Sequence, residues 1–403
     1  MSWPLVKLGD ICDLLNGYAF KSSDYVESSN TLSCRMSNIR PGGEFNIDYN
    51  ARFLPDDFKN KYKKFLLNDG DVIIAMTDLA DSPKILGVPT VVKTGGRNIL
   101  LNQRVGKLVI KETDRVYFPY LKLALNYPKV RSIYKQFAGG GLQINLGKKD
   151  LLSVEIPLPP LEEQKRIAAI LDKADAIRQK RKQAIELADE FLRSVFLDMF
   201  GDPVTNPKGF QIGTIRDIVS TVNYGTSGKA SETDGEFPIL RMGNITYKGG
   251  WDFSDLKYID LDNKDQGKYL ASKNDLLFNR TNSKELVGKT AVFNESKPMA
   301  IAGYLIRVRA NDLGNPWYIS GYLNSSHGKQ TLLNMCKSIV GMANINAQEL
   351  QNIKILLPPV ELQNKYESIV KEVNKRVSCH HESVKELQTL FNALSQKAFS
   401  GQL

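Results

Sequence analysis

Three short stretches of the 403-residue chain come close to motifs that do chemistry, and each departs from its motif at a residue the chemistry needs. "SKELVGKT" (Ser283–Thr290) ends as a phosphate-binding loop ends. The first glycine of G-x-x-x-x-G-K-[ST] falls on Ser283, however, and without it the tight nest of backbone amides is hard to form. "GGGLQINLGKK" (Gly139–Lys149) is glycine-rich, but five residues separate Gly141 from Gly147 and the run ends in lysine. It reads as a flexible loop whose amides and lysines could meet a DNA phosphate. Leu-Pro-Pro occurs twice, at Leu158–Pro160 and Leu357–Pro359. Amino-methyltransferases hold a flipped base with an Asp/Asn-Pro-Pro-aromatic loop. Here leucine precedes the prolines and Leu161 or Val360 comes after them, so these prolines start helices.

Acid–base and metal chemistry find no better footing. No Pro-Asp is followed at nuclease spacing by Glu/Asp-x-Lys, and no glycine-rich loop suits S-adenosylmethionine. None of the three histidines (His327, His380, His381) has a convincing nucleophile beside it. The four cysteines (Cys12, Cys34, Cys336, Cys379) form no CxxC pair, which supports neither a zinc site nor a disulfide framework. Cys379-His380-His381 is a local cluster inside a predicted helix, with no partner cluster elsewhere, and it takes a structural or surface place. The expectation is a chain that binds and does no chemistry, with no catalytic residue, metal or cofactor of its own.

The placement of charge suggests what it binds. The net charge is +10, and residues 1–160 hold 22 basic against 16 acidic side chains, residues 201–360 hold 18 against 15. Residues 161–200 are balanced at eight of each, and residues 361–403 carry six against five. The excess therefore sits on two globular segments, where a polyanion would dock. A composition 42% hydrophobic and 24% charged is that of an ordinary globular protein. The length calls for two domains or a repeat. "MSWPLVKLGD" lacks the apolar run of a signal peptide and no stretch approaches a membrane span, so cytoplasmic residence with no membrane partner is expected.

The elements that must position any binding residue come as a tandem repeat. Gln164 maps to Gln363, Ile170 to Ile369, Leu171 to Val370 and Phe200 to Phe399, a constant offset of 199. Upstream, "RMSNI" (Arg35–Ile39) answers "RMGNI" (Arg241–Ile245), and "LLNDGDVIIA" (Leu66–Ala75) answers "LASKNDLLFN" (Leu270–Asn279). The period is far beyond that of a solenoid. The spelling divides the chain into globules at 1–157 and 201–356 and spacer segments at 158–200 and 357–403.

Each Pro-Pro opens a helix, with Glu162 and Glu163 favoured in the first turn by the macrodipole, and no Gly or Pro interrupts until Gly201 and, in the second copy, Gly401. About 40 residues, or about 60 Å, can thus run unbroken. Spacings of three and four give an apolar seam of Ile167, Leu171, Ala174, Arg178, Arg181, Ile185, Ala188, Leu192, Val195 and Met199. The second seam is Tyr366, Val370, Val373, Val377, His380, Val384, Leu387, Phe391, Leu394 and Ala398. Arg181 and His380 interrupt the seams at equivalent places near each midpoint, and antiparallel pairing would set them opposite one another. The globules read as mixed and strand-rich, from "DVIIA", "PTVV" and "GKLVI" to "DLLFN", "KTAVF" and "LIRVR". Residues 117–136 and 317–337 read as helical, with aromatics (Tyr117, Phe118, Tyr120; Trp317, Tyr318, Tyr322) that pack in the core. Arg35 and Arg241 read as structural residues within strands.

This organisation, with "PLPPLEEQKRIAAIL" close to the usual spelling of a central conserved region, resembles the specificity (S) subunit of type I restriction–modification systems over essentially the whole chain. The second copy is looser, with Val360, Leu362 and Asn364 where the first has Leu161, Glu163 and Lys165. The resemblance implies an α+β fold class: two mixed target-recognition globules separated by two long helices packed as an antiparallel coiled coil, in a pseudo-twofold tandem duplication. It implies a non-catalytic subunit that reads a bipartite, asymmetric site in double-stranded DNA. Two DNA methyltransferase (M) subunits would dock on it, restriction motor–nuclease (R) subunits could join, and S-adenosylmethionine and ATP would belong to those partners. The rival reading is a catalytic fragment of a fused restriction nuclease and methyltransferase.

For the DNA contacts, phosphates call for Lys and Arg on loops, and bases for Arg, Asn, Gln or Lys. The first choice is the loop after each "D-V/L-I/L" strand: Thr77, Asp78 and Lys84, and Asn279, Arg280, Thr281, Asn282 and Lys284. The loops before the Pro-Pro strands come second: Gln143, Asn145, Lys148 and Lys149, and Asn344, Asn346 and Gln348. "FKNKYKK" (Phe58–Lys64) contributes Lys59, Lys61, Lys63 and Lys64 as a phosphate-facing stretch.

Overall fold

A computed structural model describes residues 3–79, 83–137, 143–339 and 342–403. The chain divides into two compact units, Met1–Lys180 with Val384–Leu403, and Arg181–Ser383. Packing therefore cuts across the boundaries at 157, 200 and 356, because each unit buries the first half of one long helix together with the last half of the other.

The first unit is built on two four-stranded sheets. One runs in the order Cys12–Asn16, Val105–Ile110, Val72–Ala75, Pro89–Val91, with every neighbour antiparallel. The other runs Phe53–Leu54, Thr31–Cys34, Asn98–Leu101, Leu66–Leu67 around a parallel central pair. "VIIA" at Val72–Ala75 is buried at all four positions, as a strand covered on both faces requires. The second unit repeats this strand for strand. Its sheets run Val219–Tyr224, Leu305–Ala310, Leu276–Asn279, Thr290–Val292, and Lys257–Ile259, Phe237–Leu240, Met299–Ile301, Leu270–Ala271, with the central pair again parallel. The duplication read from spelling extends to topology.

The repeated "RM-NI" has a local cause. Arg35 and Arg241 come after their strands rather than lying within them, and each backbone N–H donates to the Asn three residues on, Asn38 at 2.7 Å and Asn244 at 2.8 Å. Those asparagines are buried, and their amides donate to carbonyls of the next turn, Asn46 and Tyr49 in one copy, Asp252 and Asp255 in the other.

Each segment that reads as helical folds as two helices: Phe118–Asn126 and Pro128–Gln136, then Pro316–Asn324 and Ser326–Met335. Pro128 has no N–H to continue the first helix and holds Tyr127 in extended backbone. Ser325 does the same by leaving helical geometry and capping the next helix through Gly328 N–H. The aromatics are core residues as expected: Tyr120 and Tyr318 are buried, and their hydroxyls donate to the Pro157 and Leu356 carbonyls, both at 2.7 Å.

The long helices are Leu161–Phe200 and Val360–Ser400. Every position of the two seams is buried or half-buried except Arg181. In the first unit Arg166 donates to the Leu403 carbonyl and Arg178 to Gln388, so one residue number rises as the other falls. The second unit has the same sense, in Arg181 against His380 Nδ1 at 3.2 Å and Phe196 against Tyr366.

Candidate nucleic-acid interface

The two loop sets selected from sequence lie more than 60 residues apart, and the fold joins them. In the first unit Thr77–Leu79 pairs antiparallel with Gln143–Asn145, and the Thr77 hydroxyl donates to the Asn145 side-chain oxygen at 2.8 Å. In the second, Thr281–Asn282 pairs with Met342–Asn344, which pairs in turn with Lys337–Ile339, and the Thr281 hydroxyl donates to Asn344 at 3.1 Å. Each unit therefore carries a short β-ribbon, of two strands in the first and three in the second among the described residues, pinned by the same Thr–Asn bond. The rest of the glycine-rich run, residues 139–142, lies outside the described residues.

Not every candidate on the ribbons faces outward. Thr77 and Asp78 are buried, and Asn279 is fully so. The Asp78 carboxylate accepts the backbone N–H groups of Leu79, Ile85 and Leu86, which clamps the loop that carries exposed Lys84. Arg131, from the second short helix, donates to the Lys84 carbonyl at 2.8 Å. Burial holds the Arg131 guanidinium below its ordinary value, while Asp78 pulls the other way. In the second unit Asn279 donates to the Leu286 carbonyl, and its backbone N–H to Lys289. These residues support the loop, and sequence alone did not separate support from display.

The loops close on equivalent glycines, Gly87 (φ +68) and Gly288 (φ +79). A Cβ on the first would lie 2.3 Å from the Tyr134 ring and on the second 2.6 Å from Leu332, so both the left-handed backbone and the close approach require glycine. Gly288 leads into the strand Thr290–Val292, not into the helix a phosphate-binding loop needs.

The outward side chains differ between the ribbons. The first presents Gln143, Asn145 and Lys149, all exposed, and Leu79 at 59% exposure. Lys148 is spent on Asp13 at 2.6 Å, a bond that with the Leu14 N–H holds that carboxyl below its ordinary value. The second presents Arg280, Thr281, Asn282 and Asn344, half-exposed, with Lys284 exposed. Arg280 lies over the Tyr224 ring at 4.7 Å, and Asn282 turns its oxygen to the Ser283 N–H. Asn346 and Gln348 belong elsewhere: Asn346 caps the helix Ala347–Gln351 through Glu349 N–H, and Gln348 sits exposed on it.

Lys59, Lys61, Lys63 and Lys64 are all exposed, on the short helix Phe58–Lys61 and the turn after it. Phe58 and Tyr62 anchor this stretch against Tyr18 and Phe20, with ring centroids 4.5–6.3 Å apart. Lys61 lies 5.1 Å from the Phe58 ring centre and 5.3 Å from that of Tyr62. The result is a basic surface on an aromatic base.

The meaning of the repeated glutamine was not legible in the sequence. Gln164 is fully buried; its amide donates to the Pro159 and Arg115 carbonyls, each at 2.8 Å, and its oxygen accepts Tyr117 N–H at 2.8 Å. Gln363 repeats this, donating to Pro358 at 2.8 Å and Leu313 at 3.0 Å and accepting from Asn315 N–H at 2.8 Å. Each glutamine thus ties the first turn of a long helix to the loop ahead of the globule's paired short helices. The Leu-Pro-Pro…Gln spelling is the joint that sets how the helix leaves the globule. A chance repeat of Gln is indistinguishable from this in one sequence; only the three-bond geometry reveals it.

The chain was compared with known proteins. The family model described as the type I restriction modification DNA specificity domain matches twice, at residues 2–187 and 207–389. The EcoKI specificity subunit of Escherichia coli K12 is 22% identical over all of this chain and 89% of its own. The MjaVIII specificity subunit of Methanocaldococcus jannaschii is 32% identical over 48% of this chain and 45% of its own. The solved S subunit from M. genitalium shares the fold, with a TM-score of 0.61 at 15% identity over 99% of this chain and 96% of that one. No described helix is long and apolar enough to cross a membrane. The two matches cover most of the chain, which belongs to the type I restriction–modification DNA specificity family and is a specificity subunit, the non-catalytic, DNA-recognising member of such a system.

Proposed function

We propose that each unit reads one half of a bipartite, asymmetric site in double-stranded DNA, with its β-ribbon toward the bases and the flanking lysines on phosphates. A two-stranded ribbon, as in the first unit, is among the elements a major groove admits, and the second unit adds the strand Lys337–Ile339 to the same pairing. The observation that carries this reading is the recurrence of one ribbon, pinned by Thr77–Asn145 and again by Thr281–Asn344, with different side chains turned outward. Equal frames with unequal faces suit two unequal half-sites.

The two long helices, in this reading, pair as an antiparallel coiled coil and fix the number of unread base pairs between the half-sites. A pseudo-twofold scaffold offers similar faces to two methyltransferase subunits. Motor–nuclease subunits complete the complex, S-adenosylmethionine and ATP bind those partners, and the complex works in the cytoplasm. The opposed contacts within each unit support the pairing. Methylome sequencing of cells with and without the chain tests the reading, and a two-part motif should vanish with the chain. Exchanging residues 1–157 for another such globule should replace one half of that motif. Inserting about one turn in both helices should lengthen only the unread spacer. A motif lost or changed in both halves by the exchange rejects the assignment of one half-site to each unit.

A further inference from the structure

Two lysines of the second unit are not used by the ribbon. Lys289, just after Gly288, is only 7% exposed, and its ammonium donates to the Met242 carbonyl at 2.7 Å. Lys329, on the helix Ser326–Met335, holds its ammonium 4.9 Å from the centre of the Tyr247 ring. Met242 and Tyr247 lie in two successive turns after the strand Phe237–Leu240, parted by Ile245, so both cations sit against one short segment, residues 242–247. Neither lysine has a carboxylate partner among the described residues. Asp189, the acid that reaches the second of these turns, is held by Lys248.

Gathering two desolvated ammonium groups without a counter-charge is costly, and one carbonyl and one ring face offset that cost only in part. Burial, reinforced by Lys289, pulls Lys329 down to about 8. The segment reaches solvent, with Met242 38% and Tyr247 53% exposed. The first unit lacks the pair: Val88 stands where Lys289 does, each carbonyl accepting from the strand residue opposite, and Arg131, in the place of Lys329, is engaged with the Lys84 carbonyl.

We propose that Lys289 and Lys329 seat a DNA backbone phosphate against the segment Met242–Tyr247. The inference rests on the proposed DNA reading and adds a contact that carries affinity without sequence information. Lys289 keeps donors beyond the one given to Met242, and Lys329 offers three, enough to hold an anionic oxygen from two sides.

The test uses the full chain and two labelled duplexes, one carrying the methylome motif and one unrelated, titrated across a range of KCl concentrations. Lys289→Met and Lys329→Met should each weaken both duplexes about equally and lower the salt slope by about one, with the methylated motif unchanged. Lys329→Arg should keep the slope. Melting temperatures of the Met variants should match or exceed wild type, since a buried charge is gone. A folded Lys329→Met chain with unaltered slope overturns the proposal. So does a gain in melting temperature with inorganic phosphate that Lys329→Met abolishes while DNA binding is untouched, because the seat then serves free phosphate. Wild-type chain without salt-dependent DNA binding would instead defeat the underlying DNA reading.

Discussion

The two units share a frame and differ in almost everything that frame displays. Both pin their ribbons with Thr to Asn, both close the loop on a left-handed glycine, and both lock a long helix with a buried glutamine. Yet where the first ribbon turns Asp78 inward, the second has Asn282 half-exposed, and Met76 is answered by Arg280, each giving its carbonyl to the incoming strand. The duplicated chain keeps the Thr–Asn pair, the closing glycine and the buried glutamine, and varies the residues around them, the inward Asp78 included. The units also differ in how the far ends of the helices pack. Phe200 sits among Phe196, Tyr318 and Tyr366, with centroids 4.6–5.5 Å away, whereas Phe399, among the described residues, meets Tyr120 and Tyr127 as ring partners, at 5.8 and 4.8 Å.

That packing difference gives the largest expected effect. Phe200→Ala empties the centre of an aromatic cluster at 1% exposure and should cost about 3–5 kcal/mol. Phe399→Ala, at 8% exposure with fewer rings around it, should cost about 2–3 kcal/mol. Denaturant unfolding of the full chain, followed by a probe in each unit, measures both. Equal losses would mean that the aromatic cluster adds nothing to simple burial.

The glutamine joints come next, and here the units should behave alike. Gln164→Ala and Gln363→Ala each strand two carbonyls and one N–H in a buried site, a loss of about 2–4 kcal/mol. The expected outcome is a similar fall in stability from either variant, with each half-site sequence kept. A variant that loses nothing would show that water replaces the amide, and that the joint is set by the Pro-Pro turn alone.

The reach of the sequence depends on where each signal lies. The helices and the spacing of their seams come from periodicity, which a sequence displays directly, whereas the contact of Arg181 with His380 depends on the direction of pairing, which periodicity leaves open. The candidate loops stand out as segments because glycine, polar and strand signals punctuate them. Their pairing into a ribbon depends on strand partners 61–68 residues apart, which no local pattern encodes. Side-chain direction within the loops was equally hidden: Thr77 and Lys84 looked alike as polar loop residues, but only Lys84 is exposed. The broken helices over 117–136 and 317–337 show the converse, since Pro128 announces one break in the sequence and Ser325 conceals the other.

A smaller effect distinguishes loop support in the two units. Asp78→Asn retains size but gives up a carboxylate that accepts three backbone N–H groups, and should cost about 1–2 kcal/mol locally. Methylome motifs from this variant should relax in the half read by the first unit only. Asn282→Asp in the second unit keeps an acceptor for Ser283 N–H, so it should leave the fold intact and alter the other half alone. Relaxation of both halves by either change would contradict independent reading.

The smallest effect is a pH dependence confined to one unit. The groups seen to face Lys329 are Lys289 and the Tyr247 ring. Its folded value, about 8, lies below the ordinary 10.5, so the folded state disfavours the charged form. Stability lost to that burial is missing at all pH below about 8 and is recovered as pH climbs from about 8 toward 10.5. Lys329→Met should therefore gain most over wild type near neutral pH, with the gain shrinking above pH 8. Arg131 occupies the equivalent place and, as a guanidinium, stays protonated throughout, so the difference between Arg131→Leu and wild type should not change over the same range. Melting curves from pH 7 to 9, a window below ordinary tyrosine titration, decide the matter. If Lys329→Met keeps the same offset at every pH, the lysine is solvated in both states and the contrast between the two units lies in packing rather than charge.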